Sequence, residues 1–321
     1  MTADTAAHAA TPPSRLLPFL IGVGGGVLGL LPWILGGARL PLQNLWVLST
    51  MPDDMPLVLL PVSQYYVIVL FSIVLLGGVF AGLTLRIAAR SRTIAAWPAA
   101  LGVLAVHVLA IVESFGMTAS GLALGSDPQA VIYLAGLLGG TVVVAALAQL
   151  AFWMTSHRSA GVAAFGVALA AVPFGEWIGR WFLAFTGEVF PPVFLPAVVQ
   201  WVPAIVVGLA LVWCGVRPLP RLLVWAASLL VLWLLPAVLM SILSALGFRL
   251  ILGDFPEMVA QGVGIFPALL AEDGVLTVVV ALAIAIAGTI VRMLVGRNGR
   301  REVERGHPAS VPQRATGRES A

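Results

Sequence analysis

Charge is what this sequence has least of. Only 10% of its 321 residues are charged and 60% are hydrophobic, and the mean hydropathy is +1.04. A soluble domain carries about a quarter of its residues as charges, so a soluble fold is excluded and lipid is the solvent for most of the chain. Lysine is absent. All 17 basic residues are arginine, a bias that fits a GC-rich bacterial genome and carries no mechanism. The single cysteine, Cys214, excludes an intramolecular disulfide and a cysteine-based metal cluster. It reads as a buried spectator thiol. A formal charge of +3 and a pI near 9.7 would admit nucleic acid as a partner, but the placement of the arginines argues for membrane lipids and against nucleic acid.

What the sequence has is long apolar runs. A bilayer core of ~30 Å takes about 20 residues of helix, and eight segments meet or approach that length: 16–38, 64–86, 93–114, 129–154, 159–180, 193–215, 222–246 and 275–295. Each is expected to be helical, because backbone in lipid must satisfy its own hydrogen bonds. The expected fold is therefore an all-α, polytopic bundle over residues 16–295, with polar, disordered tails at 1–15 and 296–321. The first apolar run is too long for a signal-peptide core and reads as a retained span.

The arginines orient the bundle. With the N-terminus inside, 14 of the 17 fall on the cytoplasmic side, and only Arg39, Arg180 and Arg249 fall outside. Acidic residues run the other way, with 10 of 14 outside or within helices. Eight crossings with both ends in the cytoplasm preserve this asymmetry and an odd number destroys it. Tryptophans agree: nine of the ten fall near the expected membrane boundaries, where indole keeps its ring in lipid and its N–H wet, and Trp233 alone is expected mid-helix. The expected location is a bacterial inner membrane.

The outer loops 39–63 and 247–274 are long, apolar and broken by Pro and Gly. They suit helices lying in the interface or dipping back into the protein, the latter implying a cavity. Leu60-Pro61-Val62-Ser63-Gln64-Tyr65 and Leu195-Pro196-Ala197-Val198-Val199-Gln200-Trp201 share Leu-Pro, Gln and an aromatic in order. A parallel four-plus-four duplication would leave that pattern, although the gap differs by one residue and Leu-Pro is common at helix starts.

Gly24-Gly25-Gly26-Val27-Leu28-Gly29 satisfies the dinucleotide-binding glycine pattern, yet it sits inside a membrane span with no preceding strand. Together with Gly22, these glycines give G-x-x-x-G spacings at 22/26 and 25/29, repeated at 78/82 and 175/179, which predict close helix packing. No cofactor site is expected.

Ionisable residues inside spans are functional candidates by default. Counted from the inner boundary, Glu113 lies ~30 Å along its span, Glu176 ~26 Å and Arg180 ~32 Å, so the three share a depth. Glu176 and Arg180 are i,i+4 neighbours able to pair. The alternative for all three is an ion pair that pins helices. His107 lies deeper, at ~21 Å and about 120° around the helix from Glu113. A lone histidine there is expected to bond a backbone carbonyl, and no second histidine stands ready for a metal.

Asp53 and Asp54 follow the first span, a position similar to that of the acidic motif in membrane glycosyltransferases that use polyprenyl-phosphate sugars. Pro-Asp-Asp also reads simply as a turn. Glu176-Trp-Ile-Gly-Arg180 is similar to half the motif of CAAX-type intramembrane proteases. Gly175 stands where the first Glu belongs and the only later histidine is His307, so that activity is excluded. A rhomboid-type serine protease is excluded as well, because Ser120 has no suitable histidine after it.

The leading expectation is a permease-like carrier, or a membrane subunit of one, with an outer vestibule lined by Glu113, Glu176, Arg180, Gln64 and Gln200. A non-catalytic scaffold of envelope assembly or division is the alternative, meeting a membrane partner or a second copy through its outer loops and tail. An enzyme on a lipid-linked substrate, using Asp53 and Asp54, is the third.

Overall fold

Glycine sets how closely the first helices meet. In helix α1 (Leu16–Leu35), a Cβ on Gly22 would collide with the Ala99 carbonyl of α3 (Trp97–Gly121). One on Gly25 would lie 2.5 Å from the backbone nitrogen of Ala81 in α2 (Val67–Ala88), and one on Gly29 would meet the Ile73 carbonyl of α2. The two spacings therefore face two different neighbours, and α1 wedges between α2 and α3. Gly78 and Gly82 of α2 do the same against Ala148 and Phe152 of α4 (Pro128–Ser156). Backbone-to-backbone approach of this kind replaces the hydrophobic drive that lipid cannot supply.

The structure is a computed structural model that describes residues 15–43, 45–90, 94–187, 191–248, 251, 253–271 and 274–305, with side chains as far as 295. Further helices are α5 (Ala160–Leu169), α6 (Ala171–Thr186), α7 (Leu195–Cys214), α8 (Arg221–Gly247), α9 (Phe255–Ala271) and α10 (Gly274–Arg305). The chain is a multi-pass, all-α membrane protein. Seven helices are each long and apolar enough to span, and the α5–α6 pair, bent by 51°, brings the number to eight if it is counted as one span. No strand occurs among the described residues, which hold only the isolated bridges Arg39–Leu57 and Trp46–Leu122.

The two largest apolar clusters lie in different parts of the bundle. Leu30, Ile73, Val74, Ala110 and Ala148 pack the α1–α4 half beneath the first outer loop. Ala168, Ala204, Val207, Leu232, Ala281 and Ala285 pack α5, α7, α8 and α10. Helix α6 bridges them, with Gly175 and Gly179 against Val199 of α7 and Trp177 Nε1 donating to the Gly29 carbonyl of α1 at 3.0 Å. The bend before α6 follows from Pro173, whose ring displaces the carbonyl of Leu169 and leaves it without a helical donor.

Several boundaries depart from expectation. The fifth span is broken, and the third runs seven residues past its expected end at 114, to Gly121. Helix α10 continues through residues 296–305, where a disordered tail was expected; arginine is a good helix former and favours the C-terminal end of the helix dipole. The tail segments 1–14 and 306–321 lie outside the described residues.

In the second outer loop the structure chooses between the two expected arrangements, an interfacial helix and one dipping back into the protein. Asp254 accepts from Glu257 N at 3.3 Å and starts α9. This helix does not lie flat. Gly262 faces Ser241 and Ala245, while Trp233 Nε1 donates to the Leu270 carbonyl at 3.1 Å. As α9 advances its neighbours on α8 recede, so it descends antiparallel along α8, and α10 continues in the same direction. The last crossing thus begins as a second, shorter helix on the outer side.

Candidate functional site

The first outer loop is irregular but built. From Val58 to Val62 the segment is buried except at Leu59, which is partly exposed. A buried extended segment must place each backbone N–H. Val58 N donates to the Ala38 carbonyl and Val62 N to that of Leu60, and Pro61 has no N–H to place. The two remaining donors go to α3: Leu59 N to Glu113 Oε2 at 2.9 Å and Leu60 N to Ser114 Oγ at 2.8 Å. The Ser114 hydroxyl in turn donates to Glu113 Oε2 at 2.8 Å. Trp33 Nε1 donates to the Val58 carbonyl, Gln43 Nε2 to those of Pro41 and Val62, and Tyr133 Oη to Gln43 Oε1.

Glu113 is therefore a staple for the loop, and the expected meeting of Glu113, Glu176 and Arg180 does not occur. Glu176 and Arg180 do pair, with Arg180 Nε donating to Glu176 Oε1 at 3.3 Å. Their environment is α7, α1 and Tyr66, whose ring centroid lies 5.2 Å from the Arg180 guanidinium carbon. Equal depth along two spans does not make two residues neighbours; α3 packs on α1, α2 and α4, and α6 lies beyond them.

Arg180 instead joins a different set of residues. An outer vestibule of about 500 Å3 is lined by Arg39, Asp53, Ser63, Tyr65, Tyr66 and Arg180, over a floor that includes Trp33. Trp33 and Tyr66 meet edge to face with centroids 6.1 Å apart. The turn after α1 delivers Arg39 to the rim: Gly37 takes φ +105°, in the left-handed region that glycine enters without strain, and Ala38 follows at φ 51°. Arg39 Nη1 then donates to the Met55 carbonyl at 3.1 Å. Asp53 and Asp54 form a short 3₁₀ turn over Pro52–Asp54. Asp53 lines the vestibule and Asp54 does not. Glu113, Glu176, Gln64 and Gln200 are likewise not among its lining residues.

Gln64 lies on the other side of the same wall. The 3₁₀ turn Gln64–Tyr66 carries Tyr65 and Tyr66 toward the vestibule and Gln64 into an apolar cavity of about 460 Å3 between α2, α4, α8 and α9. Gln64 is 1% exposed, and neither its Oε1 nor its Nε2 has a hydrogen-bond partner among the described residues. Gln200, by contrast, is half-buried in the α-helical first turns of α7. The paired motifs thus fold differently, and the local structure lends the duplication no support.

His107 is also a correction. It is 1% exposed, against Gly77, and neither ring nitrogen has a partner among the described residues, where a bond to a backbone carbonyl was expected. A Cβ on Gly77 would lie 2.9 Å from Nε2, so glycine is what makes room for the ring between α1, α2 and α3. Among the described residues no group of three His, Cys, Asp or Glu side chains could hold a metal ion.

Sequence reasoning missed Arg39, Ser63, Tyr65 and Tyr66 as vestibule residues and Gln43 as the hub of the loop. The available signal was the Gly36-Gly37-Ala38-Arg39 turn, which ends a span and places a cation on the arginine-poor side. No family model matches the chain, and neither a curated protein nor a solved structure resembles it.

Proposed function

We propose that this protein is a permease-like carrier, or the membrane subunit of one, in a bacterial inner membrane, and that its outer vestibule receives a small organic anion. The observation that carries the reading is the convergence of Arg39, from the turn after α1, and Arg180, from α6, on one hollow of about 500 Å3 beside a broken helix. Arg39 and Arg180 present guanidinium donors to the hollow beside the single lining carboxylate of Asp53, with Glu176 pairing Arg180 from outside the lining, and the Ser63, Tyr65 and Tyr66 hydroxyls add neutral polar groups. Discontinuous spans border substrate sites in many carriers, because a bend frees backbone groups and lets one half of the bundle rock against the other.

The test is uptake by vesicles containing the purified protein, using a panel of isotope-labelled carboxylates and organic phosphates. Arg180→Gln and Arg39→Gln are expected to reduce uptake at least about tenfold, the effect of losing one charge-assisted hydrogen bond, with reconstituted amount unchanged. Equal uptake by wild type and the double variant ends this reading.

One further observation favours a second reading. Asp53 lines the polar vestibule, and the wall at 63–67 separates that vestibule from an apolar cavity suited to a lipid chain. An enzyme on a lipid-linked substrate would use Asp53 and not Asp54. It predicts that Asp53→Asn abolishes turnover of a polyprenyl-phosphate sugar while Asp54→Asn leaves it intact.

A further inference from the structure

At the opposite, arginine-rich face, the last turn of α2, the approach to α3 and the end of α4 enclose a hollow of about 380 Å3. Its charged lining is Arg86, Arg90 and Arg158, with no carboxylate among the lining residues, and Ser156 completes the polar part. Arg86 is held in place from two directions. Its Nη2 donates to the Arg158 carbonyl at 3.2 Å, and its guanidinium carbon lies 5.0 Å from the centroid of the Trp213 ring. Arg90 follows one helical turn later, where like charges repel, and Arg90 and Arg158 are both exposed at the rim. Leu85, Ile94 and Ala96 give the hollow an apolar flank.

The arginine bias of this face requires cations on this side of the membrane. It does not require three of them, from two helix ends, around one concavity with no carboxylate among its described lining residues. That convergence raises electrostatic repulsion, which an anion in the hollow offsets. Guanidinium groups present paired N–H donors that match the oxygens of a phosphate, and basic hollows between spans at this depth suit phospholipid headgroups.

We propose that the Arg86–Arg90–Arg158 hollow binds a phosphate group, supplied by the headgroup of an anionic phospholipid whose chains run along the apolar flank. The site lies on the face away from the vestibule and does not depend on what the vestibule binds.

The experiment is native mass spectrometry of the full chain released from nanodiscs of equal phosphatidylglycerol and phosphatidylcholine, comparing wild type, the Arg90→Gln/Arg158→Gln double variant and Arg217→Gln. The last removes an exposed arginine elsewhere on the same face. Wild type is expected to retain phosphatidylglycerol in preference to phosphatidylcholine. The double variant should lose about fivefold in that preference per arginine removed, or about 25-fold in all, and Arg217→Gln should behave as wild type. Lysine at both positions should restore most of the preference, which separates charge from folding. A second arm adds inorganic phosphate alone: binding to wild type, lost in the double variant and without any phosphatidylglycerol preference, assigns the same hollow to a soluble phosphate. Equal phosphatidylglycerol retention by wild type and double variant with no phosphate binding, or an equal loss in Arg217→Gln, overturns the proposal.

Discussion

Replacing Glu113 distinguishes a structural from a functional carboxylate more sharply than any other substitution in this protein. Its Oε2 takes the Leu59 N–H and the Ser114 hydroxyl, and Ser114 Oγ takes the buried Leu60 N–H. Ser114→Ala leaves the Leu60 donor without a partner, a loss of about 1–3 kcal/mol. Glu113→Ala removes a charge-assisted bond of about 1.5–3 kcal/mol, whereas Glu113→Gln keeps an acceptor oxygen and should lose less. The two residues share a hydrogen bond, so the double variant should fall short of the summed losses by at least about 0.5 kcal/mol. Hydrogen–deuterium exchange of the peptide covering 55–63 reads these energies locally. A loss of 1–3 kcal/mol corresponds to exchange about 5- to 160-fold faster for the Leu59 and Leu60 amides, with the α7–α10 half unchanged. Unchanged exchange in 55–63 alongside lost uptake in Glu113→Gln would refute the staple and return Glu113 to a role in binding.

Three other substitutions test the packing and the buried polar groups. Gly78→Ala forces a methyl group onto the Ala148 carbonyl and should cost about 1–3 kcal/mol, seen as a lower thermal midpoint by tryptophan fluorescence in detergent. Gly139→Ala, whose Cβ meets nothing within 4 Å, should leave that midpoint unchanged or raise it. Gln64→Leu replaces a fully buried amide that has no partner among the described residues by an apolar group of similar volume, and should stabilise by roughly 1–3 kcal/mol. A lower midpoint for Gln64→Leu would mean that a bound molecule had been satisfying the amide.

The bundle was legible because its signals are long. Twenty apolar residues between arginine-bearing turns specify a span and its direction, and the 22/26, 25/29 and 78/82 glycine spacings named packing faces that the backbone uses. What the sequence left hidden was short or three-dimensional. The break in the fifth span needed one proline, Pro173, to be weighed against a favourable apolar run. A helix within 247–274 was legible, with Asp254 and Glu257 at the spacing of a helix start, but its 17 residues fall short of a span, so its path along α8 was not. The site was the least legible. Depth along a helix is one coordinate of three, so Glu113 and Arg180 matched in depth while their helices pack on different neighbours. The residues that do meet, Arg39, Asp53 and Tyr66, come from one loop turn and two 3₁₀ segments, where no periodicity announces a facing direction.

The anchoring of residues 58–62 has a consequence for how a carrier of this shape would work. That segment leads directly into Ser63, Tyr65 and Tyr66, which line the vestibule, and it is bolted to α3 and α1 by contacts that leave its buried amides no slack, so the side it supports is the fixed jaw. Any widening or closing of the mouth falls to the side that carries Arg180, rotating about the bend at Ala170. A crosslink from Gly36 to Ala184, where the two jaws approach, would lock the mouth in one position while leaving every anchoring bond of the loop untouched.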